Sequence, residues 1–123
     1  MRLSTQLRRS HTILRVEGSL MVGETADALR SRIEGISASK GKGALVLDLE
    51  ALDYLDSTGV GVLVGALKVF QAAGRQILLA SPQRRVLAGL RVTHLDTLFP
   101  IHATLGDALA SLADADDEKT DAH

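Results

Sequence analysis

The chain contains no cysteine, which removes disulfides, thiolate metal sites and a cysteine nucleophile together. The same absence fits a reducing compartment. Aromatic residues are 2% of the 123 residues, with one tyrosine, two phenylalanines and no tryptophan, so any core must be aliphatic. No charge sign dominates. Fourteen Lys and Arg against 15 Asp and Glu give a net charge of −1, so nothing general favours nucleic acid or anionic lipid as a partner. Long hydrophobic runs are missing too. The longest, Val60 to Leu67, falls far short of the ~20 residues that a membrane span needs. The start, MRLSTQLRRSH, has no continuous apolar segment of the secretory kind. The expectation is a soluble cytoplasmic monomer with no direct membrane insertion.

What is present is 46% apolar residues in a length suited to one domain. Arg2 to Arg8 alternates, with Leu3, Thr5 and Leu7 on one side, and predicts a half-exposed strand. Thr12 to Glu17 predicts a second strand with Leu14 and Val16 facing inward, ended by Gly18. The short turn between them predicts an antiparallel edge hairpin. Ala26, Leu29, Ile33 and Ile36 form one stripe of a helix over Glu24 to Ile36. Ala44 to Leu49 and Gln76 to Ala80 are short apolar runs, as expected of central strands covered on both faces.

Ser81-Pro82 reads as a helix start, with serine as cap and proline at the first position, and Val86, Leu87 and Leu90 as its inward side. A last strand within Leu98 to His102, interrupted by Pro100, belongs at an edge. Thr104 to Ala113 closes the domain as a helix packed through Leu105, Ala108, Leu109 and Leu112. Residues 114–123, DADDEKTDAH, are acidic with almost nothing to bury and are expected to be a disordered tail. The resulting order is β-β-α-β-α-β-α-β-α. It describes a single α/β domain over residues 1–113, with a mixed, mostly parallel sheet and about four helices.

The most informative stretch is Tyr54 to Leu67, YLDSTGVGVLVGAL. A carboxylate, two hydroxyls and a glycine precede a helix that runs to about Ala73, with Gly74 to end it. Asp56 or Ser57 suits a helix cap, which is worth ~1 kcal/mol. The helix carries two apolar stripes. Val60, Leu63, Val64, Leu67 and Phe70 form one; Val62, Ala66, Val69 and Ala73 form the other. Packing on a sheet needs one stripe. The second is either covered by a neighbouring helix or left for a partner.

Enzymatic chemistry finds little support. A dinucleotide fingerprint counted from Gly59 needs glycine where Val64 stands, and no acidic residue follows about 20 positions on. A nucleophile elbow around Ser57 needs glycine where Leu55 stands. The histidines, His11, His94, His102 and His123, show neither metal spacing nor support for a serine base. Gly35 to Gly43, GISASKGKG, misses the phosphate-loop spacing at Lys40 and follows a helix, not a strand. No enzyme activity, cofactor or metal is expected.

The segment LDYLDSTGVGVLVGAL resembles the signature of the STAS domain family, named for sulfate transporters and anti-sigma factor antagonists. The resemblance runs from about Leu3 to Leu112, through GSL…ETADAL, VLDL, D-S-T-G, ILLASP and GDAL in the family's order. It implies an anti-sigma factor antagonist. The unphosphorylated form would bind an anti-sigma factor serine kinase and free the sigma factor. Phosphorylation at Ser57 would break that complex, and a serine phosphatase would reset it. Asp56, Thr58 and Gly59 would shape the serine's loop, Val62 and Ala66 would join the contact surface, and Ser19 and Met21 would contribute from the second-strand loop. Many phosphorylated members carry an acidic residue where this chain has Met21. The alternative within the family is a scaffold that is not phosphorylated, or an accessory subunit of a membrane lipid transporter or signalling complex.

Overall fold

The computed structural model describes residues 2–20, 23–39 and 43–112. Strands β1 (Arg2–Arg8) and β2 (His11–Leu20) form an antiparallel hairpin, with Arg2 opposite Glu17 and Arg8 opposite His11. Helix α1 (Glu24–Ala38) leads to β3 (Leu45–Asp48) and β4 (Leu52–Leu55). Then come α2 (Ser57–Ala72), β5 (Ile77–Ala80), α3 (Arg84–Val92), a 3₁₀ turn (Leu95–Thr97) and β6 (Ile101–His102). A helix over 105–112, α4, completes the described chain. The strand order is β1-β2-β3-β5-β6, and every pairing except β1 with β2 is parallel. This is the mixed α/β sheet with an antiparallel edge hairpin and four α-helices that the sequence pattern predicts.

Strand alternation divides the core between the two faces of the sheet. Leu14, Val16, Leu45, Leu47, Ile77 and Leu79 point to the face packed by α1, α2 and α3. Ile13, Val46, Leu78 and Ala80 point to the other face, where Ala108 and Leu112 of α4 cover them. This explains why β3 and β5 read as unbroken apolar runs: each residue has a protein neighbour on its own side. The outermost strand, β1, differs. Leu7 is 73% exposed and lines an open cleft with Ile36 and Ser39 at the end of α1.

Three boundaries depart from expectation. Gly18 does not end β2. It adopts φ 101°, and the strand continues to Leu20 across a register shift between Gly18 and Ser19. That extension pairs with β4, a strand absent from the expected order, through Gly18–Leu52, Ser19–Tyr54 and Leu20–Leu55. Ser81 does not cap α3 either. It sits at φ 56° with its N–H donating to the His102 carbonyl, so its backbone extends the pairing of β5 with β6. The helix begins three residues later, with Gln83 at its N-cap position. The final strand is confined to Ile101–His102, preceded by Pro100, whose carbonyl accepts from Leu79. The acidic segment 114–123 lies outside the described residues.

Candidate functional site

β4 and α2 together build the motif. The Asp56 N–H donates to the Leu20 carbonyl at 3.1 Å, extending the β2–β4 ladder by one bond. Asp56 remains extended (φ −97°, ψ −176°), and the chain turns into α2 immediately after it. Its Oδ1 accepts from the Gly59 N–H at 2.9 Å and its carbonyl accepts from Val60 at 3.0 Å. Asp56 is therefore the cap, and Ser57 is the first helical residue with its side chain exposed. Thr58 is half-buried and Gly59 is buried. A Cβ on Gly59 would lie 2.5 Å from Leu55 Cδ1 and 2.8 Å from Leu20 Cγ. Only glycine lets the helix start this close to the ends of β2 and β4.

Parallel strands present their carboxyl ends at one edge of a sheet, the usual ligand and partner side of α/β folds. Here that edge is acidic. Asp53 and Tyr54 are exposed beside Ser57, and Ser19 lies opposite Tyr54 in the β2–β4 register. Nearby, one guanidinium serves three carboxylates. Arg15 reaches Asp48 at 3.1 Å, Glu17 at 3.2 Å and Glu50 at 3.5 Å. Arg2 adds a longer pair to Glu17 at 3.7 Å. The hydrogen bond to Glu17 first, and that to Asp48 second, raise the Arg15 pKa above its usual value, so this cation is permanent. Asp48 also accepts from the Glu50 N–H through Oδ1 at 3.2 Å, which shapes the turn from β3 toward β4.

The expected loop residues Asp56, Ser57, Thr58 and Gly59 come together in one turn, and Ser19 joins them through β4. Met21 lies outside the described residues. Val62 and Ala66, expected in the contact surface, line a cleft between α1 and α2 while lying almost wholly buried. They are 4% and 5% exposed and pack in the main core, where α1 runs alongside α2. The second apolar stripe is thus largely covered from within, while Val69 remains 43% exposed and Ala73 is also exposed. That cleft has a volume of about 140 Å³, and Arg30, Glu34, Gly61, Gly65 and Val69 also line it. A Cβ on Gly61 or Gly65 would meet nothing within 4 Å, so internal packing does not require glycine at either position.

Tyr54 was missed as a candidate. It is 45% exposed, while Phe70 and Phe99 are in the core. The only signal was the placement of the chain's one tyrosine directly before the motif. Among the described residues, no group of three or more His, Cys, Asp or Glu could hold a metal ion. No helix among them is long and apolar enough to cross a membrane.

Comparison with known proteins adds to this geometry. A model of the STAS domain matches residues 2–108. A Thermotoga neapolitana protein, named as the homolog of a "Putative anti-sigma factor antagonist", is 35% identical over 71 residues, covering 58% of this chain and 63% of that one. The chain thus spans less than two thirds of that relative's length. The crystal structure of an anti-sigma factor antagonist from Mycobacterium paratuberculosis is similar at TM-score 0.78 and 25% identity, over 91% of this chain and 93% of that one. The Bacillus cell fate determinant SpoIIAA shares the fold at 19% identity in both of its states. The unphosphorylated form has TM-score 0.78 over 92% of this chain and 97% of that one. The phosphorylated form has TM-score 0.70 over 89% and 98%.

Proposed function

The chain belongs to the STAS domain family, and we propose that it works as an anti-sigma factor antagonist switched at Ser57. With the hydroxyl free, it binds an anti-sigma factor that carries serine kinase activity, and the sigma factor is released. Phosphorylation joins Ser57 Oγ to the terminal phosphorus of ATP, expels ADP and passes the hydroxyl proton to a base on the kinase. A serine phosphatase restores the hydroxyl. The observation that carries this reading is an exposed Ser57 at the first position of α2, at the acidic edge formed by the strand ends. Relatives named as antagonists and a structural relative with a phosphorylated form support it.

The charge argument explains how modification would end binding. A phosphoryl group adds about −1.5 to −2 charge at pH 7. A helix N-terminus tolerates such an anion, so the domain need not unfold. A partner that buries the site must desolvate that group, beside Asp53 and Asp56. The block is local, electrostatic and steric.

The test is intact mass and affinity after incubation with the candidate kinase and ATP. The wild type gains one phosphate and loses affinity, while Ser57→Ala gains none and stays bound. A wild type that neither gains phosphate nor binds refutes the switch and leaves the scaffold role.

A further inference from the structure

We propose that the open edge of β1 is a second docking surface, which takes an extended segment of a partner protein, acidic at its ends and apolar at alternate positions, as an added strand. It is separate from the Ser57 site. Leu7 pairs with Thr12 at the start of β2, whereas Ser57 follows the paired far ends of β2 and β4.

The backbone shows which groups are open. The Thr12 N–H donates to the Ala44 carbonyl, on the side of β3. Successive residues of a strand point their backbone groups to opposite sides, so Ile13, Arg15 and Glu17 bond toward β1. Their partners Gln6, Ser4 and Arg2 are thereby satisfied within the hairpin. Leu3, Thr5 and Leu7 turn their N–H and C=O groups the other way, and among the described residues no strand pairs with β1 on that side. The other edge strand of this sheet order, β6, is two residues long. β1 has seven, without a proline or a register shift, so neither shortness, proline nor a bulge blocks pairing there.

The side chains of β1 define what fits. Leu3, Thr5 and Leu7 share one face. Thr5 and Leu7 border an open cleft of about 900 Å³ with Ala28, Arg32 and Ile36 of α1, and no described residue lining it is acidic. A strand laid beside β1 sets every second side chain against Leu3 and Leu7, where apolar residues suit. The other face carries Arg2 and Arg8 at the two ends of the strand. Arg8, Arg9 and Arg32 have no acidic partner among the described residues. Arg2 has Glu17 at 3.7 Å, which Arg15 also holds. These charges disfavour a second copy as the occupant. An antiparallel pair centred on Thr5 would set Arg2 opposite Arg8 twice, and like charges directly opposite are destabilising. Carboxylates at the same two positions are favoured by the same rule. Backbone pairing then supplies affinity, and the alternating side chains supply selection.

The probe is a blocked heptapeptide, Glu-Val-Thr-Val-Thr-Val-Glu, titrated into the full chain at low salt. Fluorescence anisotropy of a labelled copy and amide hydrogen exchange of the protein report binding. The valines fall opposite Leu7, Thr5 and Leu3, and the glutamates opposite Arg8 and Arg2. Binding should slow exchange at the Leu3, Thr5 and Leu7 amides. N-methylation of the valines, whose N–H groups face β1, should abolish binding, and N-methylation of the threonines should leave it. Arg2→Glu combined with Arg8→Glu, both at exposed positions, should weaken binding about tenfold. A peptide with lysine at both ends should prefer that variant to the wild type. Ser57→Asp should bind the peptide as the wild type does; a changed affinity overturns the separation of the two surfaces. No binding at millimolar peptide, or equal loss on methylating either set, overturns the proposal. Slow exchange at Leu3, Thr5 and Leu7 in the free protein overturns it too. Seen only where sedimentation shows a dimer, it assigns the edge to a second copy; seen in the dilute monomer, it assigns the edge to another segment of this chain.

Discussion

The two ends of α2 are held in opposite ways. At its C-terminus the chain is fastened several times over. Gly74 takes φ 70°, and the N–H groups of Gly74 and Arg75 donate to the Gln71 and Phe70 carbonyls, which is a Schellman closure. The Arg75 side chain, 7% exposed, then donates to Gly43 at 2.8 Å and Ile36 at 3.2 Å, with its guanidinium 4.8 Å above the Phe70 ring. One residue ties together the ends of α1 and α2 and the approach to β3. At the N-terminus, by contrast, the Asp56 side chain caps Gly59, its backbone N–H is tied to Leu20, and the hydroxyl beside it is exposed. An over-determined end anchors the domain. A lightly held end can respond to a change in one side chain without unfolding the rest.

That contrast sets a ranking of effects. Arg75→Ala removes two charged hydrogen bonds from buried carbonyls and a cation–π contact, and should cost about 3 kcal/mol in denaturant titrations. The phosphate-accepting ability of any folded protein should be unchanged; a mild loss would show that the C-terminal end is not the anchor. Gly59→Ala should cost about 2 kcal/mol by overpacking against Leu20 and Leu55, and would also displace Ser57, so binding should fall with stability. Asp56→Ala should cost about 1 kcal/mol, the usual worth of a cap, measured as a shift in denaturation midpoint with unchanged slope. Gly61→Ala and Gly65→Ala should each gain about 0.5–1 kcal/mol, since the helix interior favours alanine and the added methyl meets nothing. If those stabilised variants lose partner affinity in a pull-down titration, the cleft between α1 and α2 belongs to the docking surface. Unaltered affinity would confine docking to the edge around Ser57 and Tyr54.

The legible parts of the fold were those that depend on near neighbours in sequence. The stripe of Ala26, Leu29, Ile33 and Ile36 identified α1 and its inward face, and all four residues are buried. The apolar runs of β3 and β5 identified strands covered on both sides. Gly74 marked the end of α2, because a left-handed residue there favours glycine. The motif D-S-T-G marked the helix start. Ser81-Pro82 misled, although its residue types suit a cap, because pairing with His102 claimed the Ser81 backbone for the sheet edge.

Hydrophobic period, cap chemistry and glycine placement are local, and they already specified an α/β domain with Asp56 and Ser57 at the head of an apolar helix. Which of the two residues caps and which is exposed depended on β4. That four-residue strand exists through its pairing with the far end of β2, more than thirty positions earlier. The fate of Val62 and Ala66 depended in the same way on α1 lying alongside α2. A single stretch of sequence records what a side chain prefers, but contacts between distant segments decide which preference is satisfied by the protein itself and which remains for a partner.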